Sequence, residues 1–180
     1  ILISQDSIMQ YYGDKLYDHL LGHGFKITKV SIKDGESSKD LAIYTDIIST
    51  MLEKNFDRSS VVLSLGGGVV GDIAGFVSAT YMRGVRYHQI PTTLLAMVDS
   101  SIGGKTGLNF SKTKNIIGSI YQPSSVIIDP EILMTLPRDE VISGLGEIIK
   151  YGAIRDSNFF LQLSEWFEDL NKFPFTQAIE

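Results

Sequence analysis

The chain has 180 residues, enough for about one domain, or one domain and part of another. Its net charge of −5 gives no basic surface for nucleic acid, and the absence of cysteine rules out disulfides and thiolate metal sites. No apolar run is long enough to cross a membrane and no signal peptide is visible, so a cytoplasmic protein is the simplest expectation.

Ile1-Leu2-Ile3 reads as a strand already under way, and the residues up to Glu180 show no boundary. Both ends are therefore expected to be cut from a longer chain. A first strand over Ile1–Ser4 precedes a helix to about Leu21, for which Asp6 or Ser7 can serve as the cap. Gly22 and Gly24 offer left-handed stops. Phe25, Ile27, Val30 and Ile32 are the apolar positions of a second strand, and Asp34-Gly35-Glu36 is a turn. Ser37 to Asn55 reads as a helix with Leu41, Tyr44, Ile48, Met51 and Leu52 on one face.

Val61–Leu65 is a buried strand that ends at glycine. Gly66, Gly68 and Gly71 have the spacing G-x-G-x-x-G at a strand-to-helix turn, where backbone N–H groups and a helix start can cradle a phosphate. The usual dinucleotide pattern adds a ribose-binding carboxylate roughly 20 residues on, yet no Asp or Glu lies between Asp72 and Asp99. The helix from Val69 to Met82 is nearly uncharged, with Asp72 in its first turn as a cap or a ligand contact. This βαβαβα order predicts an α/β fold, a Rossmann-like parallel sheet with helices on both faces. Ligands of such sheets sit beyond the carboxyl ends of the strands. Glu36 lies at one of those ends and is the candidate ribose carboxylate; a solvated turn is the alternative.

Tyr87–Ile90 is a further strand, and Thr92 and Thr93 after it can bond a ligand or the local turn. Gly104-Lys105-Thr106 resembles the phosphate loop of nucleotide hydrolases, but Asp99 stands where that loop needs glycine, so the match fails. Lys105 remains a candidate anion contact in a glycine-rich loop. Lys112, Lys114 and Asn115 precede a second apolar run, Ile116–Ile120, and Val126–Ile128 closes as a strand. Pro137 introduces a helix from Arg138 to about Tyr151, on which Glu140, Gly144, Glu147 and Lys150 share a face. Gly144 and Gly146 each cost about 1 kcal/mol relative to Ala, which suggests close packing or room for a ligand beside Glu147. A surface Glu–Lys pair is the alternative. Phe159, Phe160, Leu163, Trp166, Phe167 and Leu170 form an amphipathic, helical tail. His19, His23 and His88 are scattered and read as structural.

Five segments carry a resemblance in the same order: DGESSK at 34–39, LGGGVVGDIAGFVSATYMRGV, QIPTTLLAMVDSSIGGKTGLN, KNIIGSIYQP and TLPRDEVISGLGEIIKYG. Together they resemble the 3-dehydroquinate synthase family, sugar-phosphate cyclases of the shikimate route. The resemblance implies an NAD-binding α/β domain over 1–136 and the beginning of a truncated helical metal and substrate domain over 137–180. NAD contacts are implied at Asp34, Gly35, Glu36, Ser37, Ser38 and Lys39, and at Gly68, Val69, Val70, Gly71 and Asp72. They continue at Thr92, Thr93, Lys105 and Lys114, and at Ile132, Leu133, Met134 and Thr135. Asp99, Lys105, Asn115 and Lys150 match substrate-binding and catalytic positions. Arg83 matches a residue that reaches the substrate phosphate across a dimer interface, which implies a homodimer. Glu147 matches a ligand of zinc, or cobalt in its place. The other two family ligands are histidines beyond this sequence, so the piece by itself is expected to keep some nucleotide affinity and lose activity.

The implied reaction converts 3-deoxy-D-arabino-heptulosonate 7-phosphate to 3-dehydroquinate and phosphate, with the substrate's own phosphate as the base for elimination. Gly146 stands where the family more often has Ala. The alternatives are another NAD-dependent cyclase of the 2-deoxy-scyllo-inosose synthase type, a metal-dependent polyol dehydrogenase, and a nucleotide-binding module without activity.

Overall fold

The computed structural model describes residues 1–168 and 172–179. Alternation of side chains along the strands divides the core in two. On β1 (Leu2–Gln5), Ile3 faces one apolar cluster and Leu2 the other; on β3 (Val61–Gly66), Val62 and Leu65 divide in the same way. β1, β2 (Lys29–Ile32), β3, β4 (Arg86–Pro91) and the short β7 (Ser125–Val126) form one sheet in the order β2-β1-β3-β4-β7. Its pairings are parallel, as the βαβ reading requires.

One face is covered by α3 (Leu41–Glu53) and α4 (Gly68–Thr80), which bury Ile47, Met51, Val70, Ile73 and Val77. The other carries the first helical segment, in which α1 (Asp6–Ile8) passes through a π-helical turn, Met9–Gly13, into α2 (Asp14–Gly22). Helices on both faces and a parallel sheet make this the expected Rossmann-like α/β fold.

Local details differ from the sequence reading for identifiable reasons. Neither Asp6 nor Ser7 caps the first helix: Asp6 accepts a hydrogen bond from Ser31, and Ser7 donates to Asp34 at 2.7 Å. The second strand is confined to Lys29–Ile32, leaving Phe25 exposed. α3 starts late because Asp40, not a residue near Ser37, caps it through the N–H of Ile43 at 2.9 Å. Its buried positions are Ile47 and Met51, while Leu41 and Leu52 face out.

The largest difference is a hairpin. Lys105 opens β5 (Lys105–Phe110), which pairs antiparallel with β6 (Thr113–Ile120). Leu108 and Ile117 pack this hairpin onto the α3–α4 side of the core, while Ile116 and Ile120 are exposed.

Pro130–Thr135 forms a 3-10 helix, followed by α5 (Arg138–Arg155), α6 (Ser157–Trp166) and α7 (Phe175–Ile179). Leu145, Ile148 and Leu163 of α5 and α6 close a separate core with Leu94, Met97 and Val98. Phe159, Trp166 and Phe167 join that core as the tail pattern predicts, whereas Phe160 is exposed and Leu170 lies outside the described residues.

Candidate active site

Three chain reversals meet at the carboxyl ends of β2, β3 and β4. The first is Asp34–Lys39, where Gly35 has φ +101°, a backbone state that side chains disfavour. Ser38 ties this turn down by donating to Lys33 O at 2.7 Å.

The second is the glycine turn into α4. Gly67 occupies the cap position without any side-chain cap, so the first N–H groups of the helix have no partner within it. A Cβ on Gly67 would sit 3.0 Å from the Thr93 methyl, and one on Gly68 would sit 3.2 Å from Ser100 Oγ. Among the described residues, the hydroxyls of Thr92 and Ser100 are buried without a hydrogen-bond partner. Thr93 behaves differently, accepting from Ala96 N at 3.1 Å and so serving the local turn. Ala96–Ser100, a π-helical turn that carries Asp99, is the third reversal.

Asp72 is not a cap. It lies beyond the first turn of α4 and pairs with the ammonium of Lys39, which also donates to Asn115 Oδ1. Burial pushes the Asp72 carboxyl above its ordinary value, and Lys39 opposes that shift. Lys39, expected to touch the cofactor, thus has its ammonium committed to Asp72 and Asn115. Residues of the hairpin complete the arrangement. Asn109, which the sequence reading passed over, donates from Nδ2 to Glu36 Oε1 at 2.9 Å and accepts from Asn115 N at 2.9 Å.

Asp72, Asp99, Ser100, Lys105 and Asn115 line one cleft of about 580 Å³. Glu36, Ser37, Lys39, Asn109 and Lys114 line an adjoining one of about 440 Å³. From α5, the Tyr151 hydroxyl donates to Asp99 Oδ1 at 3.0 Å. Burial and this bond together raise the Tyr151 hydroxyl above its ordinary value. Glu147 pairs with Lys150 one turn on, the pairing that the spacing allowed.

Other expected positions lie apart. Arg83 is exposed beyond the far end of α4, about 20 Å from its start by helix rise. Ile132 and Leu133 are buried in the α5–α6 core, Met134 is exposed, and Thr135 meets the Tyr12 hydroxyl at 2.5 Å. Gly144 presses on Leu94, whereas Gly146 faces open space. His23 Nδ1 bonds His19 O at 2.8 Å, and His88 Nδ1 bonds Ser125 Oγ at 2.7 Å.

The sequence of this arrangement, residues 29–143, matches the 3-dehydroquinate synthase N-terminal family. The chain belongs to the 3-dehydroquinate synthase family. It is 51% identical over 165 residues to the 3-dehydroquinate synthase of Alkaliphilus metalliredigens, covering 92% of this chain and 46% of that protein. The chain therefore spans about half the length of the curated relatives it matches.

Solved structures of related cyclases share the fold. ValA, the 2-epi-5-epi-valiolone synthase of Streptomyces hygroscopicus subsp. jinggangensis, was solved with NAD+ and Zn2+ bound. It aligns with a TM-score of 0.82 and 34% identity, covering 87% of this chain and 44% of that one. A 2-deoxy-scyllo-inosose synthase complexed with carbaglucose-6-phosphate, NAD+ and Co2+ aligns with a TM-score of 0.78 and 27% identity, covering 83% and 41%.

Proposed function

We propose that this chain is the nucleotide-binding part of a 3-dehydroquinate synthase, a phosphate-eliminating carbon–oxygen lyase of aromatic amino acid biosynthesis. The observation that carries this reading is the convergence of Asp72, Asp99, Lys105 and Asn115 on one cleft beside the uncapped start of α4. Identity near one half to curated 3-dehydroquinate synthases favours this reaction over that of the other cyclases.

NAD fits the residues present. The narrow space over Gly67 and Gly68, the uncapped N-terminus of α4 and the unpartnered hydroxyls of Thr92 and Ser100 suit a pyrophosphate. Glu36, next to Lys114, suits the adenosine ribose. When bound, NAD supplies a hydride acceptor that returns the hydride later in the same turnover. Lys105 places a positive charge where a sugar oxyanion or phosphate gathers negative charge. Asn115, its Oδ1 taken by Lys39, lines the same cleft and would offer the ligand its Nδ2 donor. Tyr151 holds Asp99 through the bond from its hydroxyl to Oδ1.

A metal is a different matter. Glu147 would supply one ligand for zinc or cobalt. Among the described residues no group of three His, Cys, Asp or Glu can hold an ion. A catalytic zinc takes about three protein ligands, so no step is assigned to it from these residues. Exposed Arg83 is proposed to reach the substrate phosphate in the site of a second copy, which would make the working unit a homodimer. No helix among the described residues is long and apolar enough to cross a membrane.

The test is phosphate release from 3-deoxy-D-arabino-heptulosonate 7-phosphate with NAD and zinc, set against glucose 6-phosphate as a competing sugar phosphate. An intact polypeptide containing this chain should turn over the first and not the second. The chain by itself should bind NAD and release no phosphate. Preference for glucose 6-phosphate would assign the chain to another cyclase.

A further inference from the structure

We infer that Asn109 is a positioning residue that keeps the nucleotide side and the substrate side of the site in register, an inference that rests on the proposed function. Leu108 pairs with Ile117, but Phe110 pairs with Thr113, so Asn109 alone faces Lys114, Asn115 and Ile116. β6 therefore bulges opposite Asn109, and the ladder is interrupted there. Asn115, within the bulge, has φ +54°.

The side chain of Asn109 repairs the interruption. Its Oδ1 accepts the N–H of Asn115 at 2.9 Å in place of a backbone carbonyl. Its Nδ2 donates to Glu36 Oε1 at 2.9 Å, and its own N–H donates to Lys39 O at 2.8 Å. One amide thus fixes the carboxylate proposed for the ribose and the backbone that aims Asn115 into the neighbouring cleft. No side chain without both a donor and an acceptor can do so. Asp keeps the acceptor toward Asn115 and sets a second carboxylate against Glu36. Leu keeps the approximate volume and neither bond.

The two halves separate experimentally in the full chain. Hydrogen exchange at the Asn115 amide should accelerate at least tenfold in Asn109→Leu and stay near wild type in Asn109→Asp. NAD affinity, by titration, should fall about tenfold in both variants. Exchange at Asn115 that is unchanged in Asn109→Leu, or NAD affinity that is unchanged in Asn109→Asp, would overturn the inference. A purely structural role would move exchange and leave NAD affinity of the folded Asp variant intact. Wild-type chain that binds no NAD would overturn the functional reading and the nucleotide half of this one, while exchange at Asn115 still decides the positioning half.

Discussion

Lys39, on the turn after β2, is paired with Asp72 on α4, and its side chain is only 5% exposed. Removing one member of such a pair leaves the other buried and uncompensated, at a cost of about 3–5 kcal/mol. The pH dependence has a definite sign. The folded Asp72 value lies above the ordinary 3.8, so this group's contribution to stability is fully present below that value. It is lost as pH rises through the raised folded value. Without Lys39 that value rises further. Lys39→Met should therefore lower Tm more at pH 7 than at pH 5, as followed by thermal denaturation. Equal losses at both pH values would show that Lys39 does not hold Asp72 ionised.

Glu36→Ala should weaken NAD binding by about 1–3 kcal/mol through loss of a charged hydrogen bond. The Glu36 carboxylate is exposed and accepts from Asn109, a surface contact, so Tm should barely change. Calorimetric titration with NAD checks this. Unchanged affinity in a folded variant removes the ribose assignment.

Lys105 begins β5 and lines the cleft with Asp72 and Asp99. In an intact polypeptide, Lys105→Ala should cut turnover by at least tenfold without unfolding the protein. Steady-state kinetics decides; kcat and KM both near wild type would make it a solvated strand residue.

Gly144 and Gly146, two of the glycines of α5, should respond in opposite directions. A Cβ on Gly144 would lie 2.6 Å from Leu94 side-chain atoms and 2.8 Å from the backbone N of Leu95. Gly144→Ala should therefore destabilise, by about 1–3 kcal/mol through overpacking. Gly146 meets nothing within 4 Å, so Gly146→Ala should gain up to about 1 kcal/mol of helix propensity. Chemical denaturation of the two variants tests the contrast, and a destabilised Gly146→Ala would reveal packing that the geometry does not contain.

The parallel sheet was legible because β1 and β3 are largely buried and read as apolar runs, and the other strands fall between glycine and polar turns. The glycine turn into α4 and the acidic turn at Glu36 were legible for the same reason, since each falls where a strand run ends. The hairpin was not. No Asn-Gly or Asp-Gly marks its turn, and Ser111 takes the φ > 0 position there instead, at φ +57°. Ile116 and Ile120 resembled core positions although they face solvent. Lys39 and Asp72 are 33 residues apart, and no local pattern joins them. Asn109 gave no signal at all, because its importance comes from a register shift visible only once β5 and β6 are paired.

Leu94, Met97 and Val98 are packed by Leu145, Ile148 and Leu163, not by the sheet. The segment carrying Asp99 is therefore seated on the helices, whereas Asp72 and Lys105 are carried by α4 and the hairpin. The walls of the cleft belong to separate cores, and its clearance is set by how one packed body rests on the other. A change of volume at Leu145 or Ile148 would be felt as displacement of a wall. Residues that touch no ligand thereby become adjusters of the gap, and side-chain size at those positions gauges how closely the reacting groups can approach.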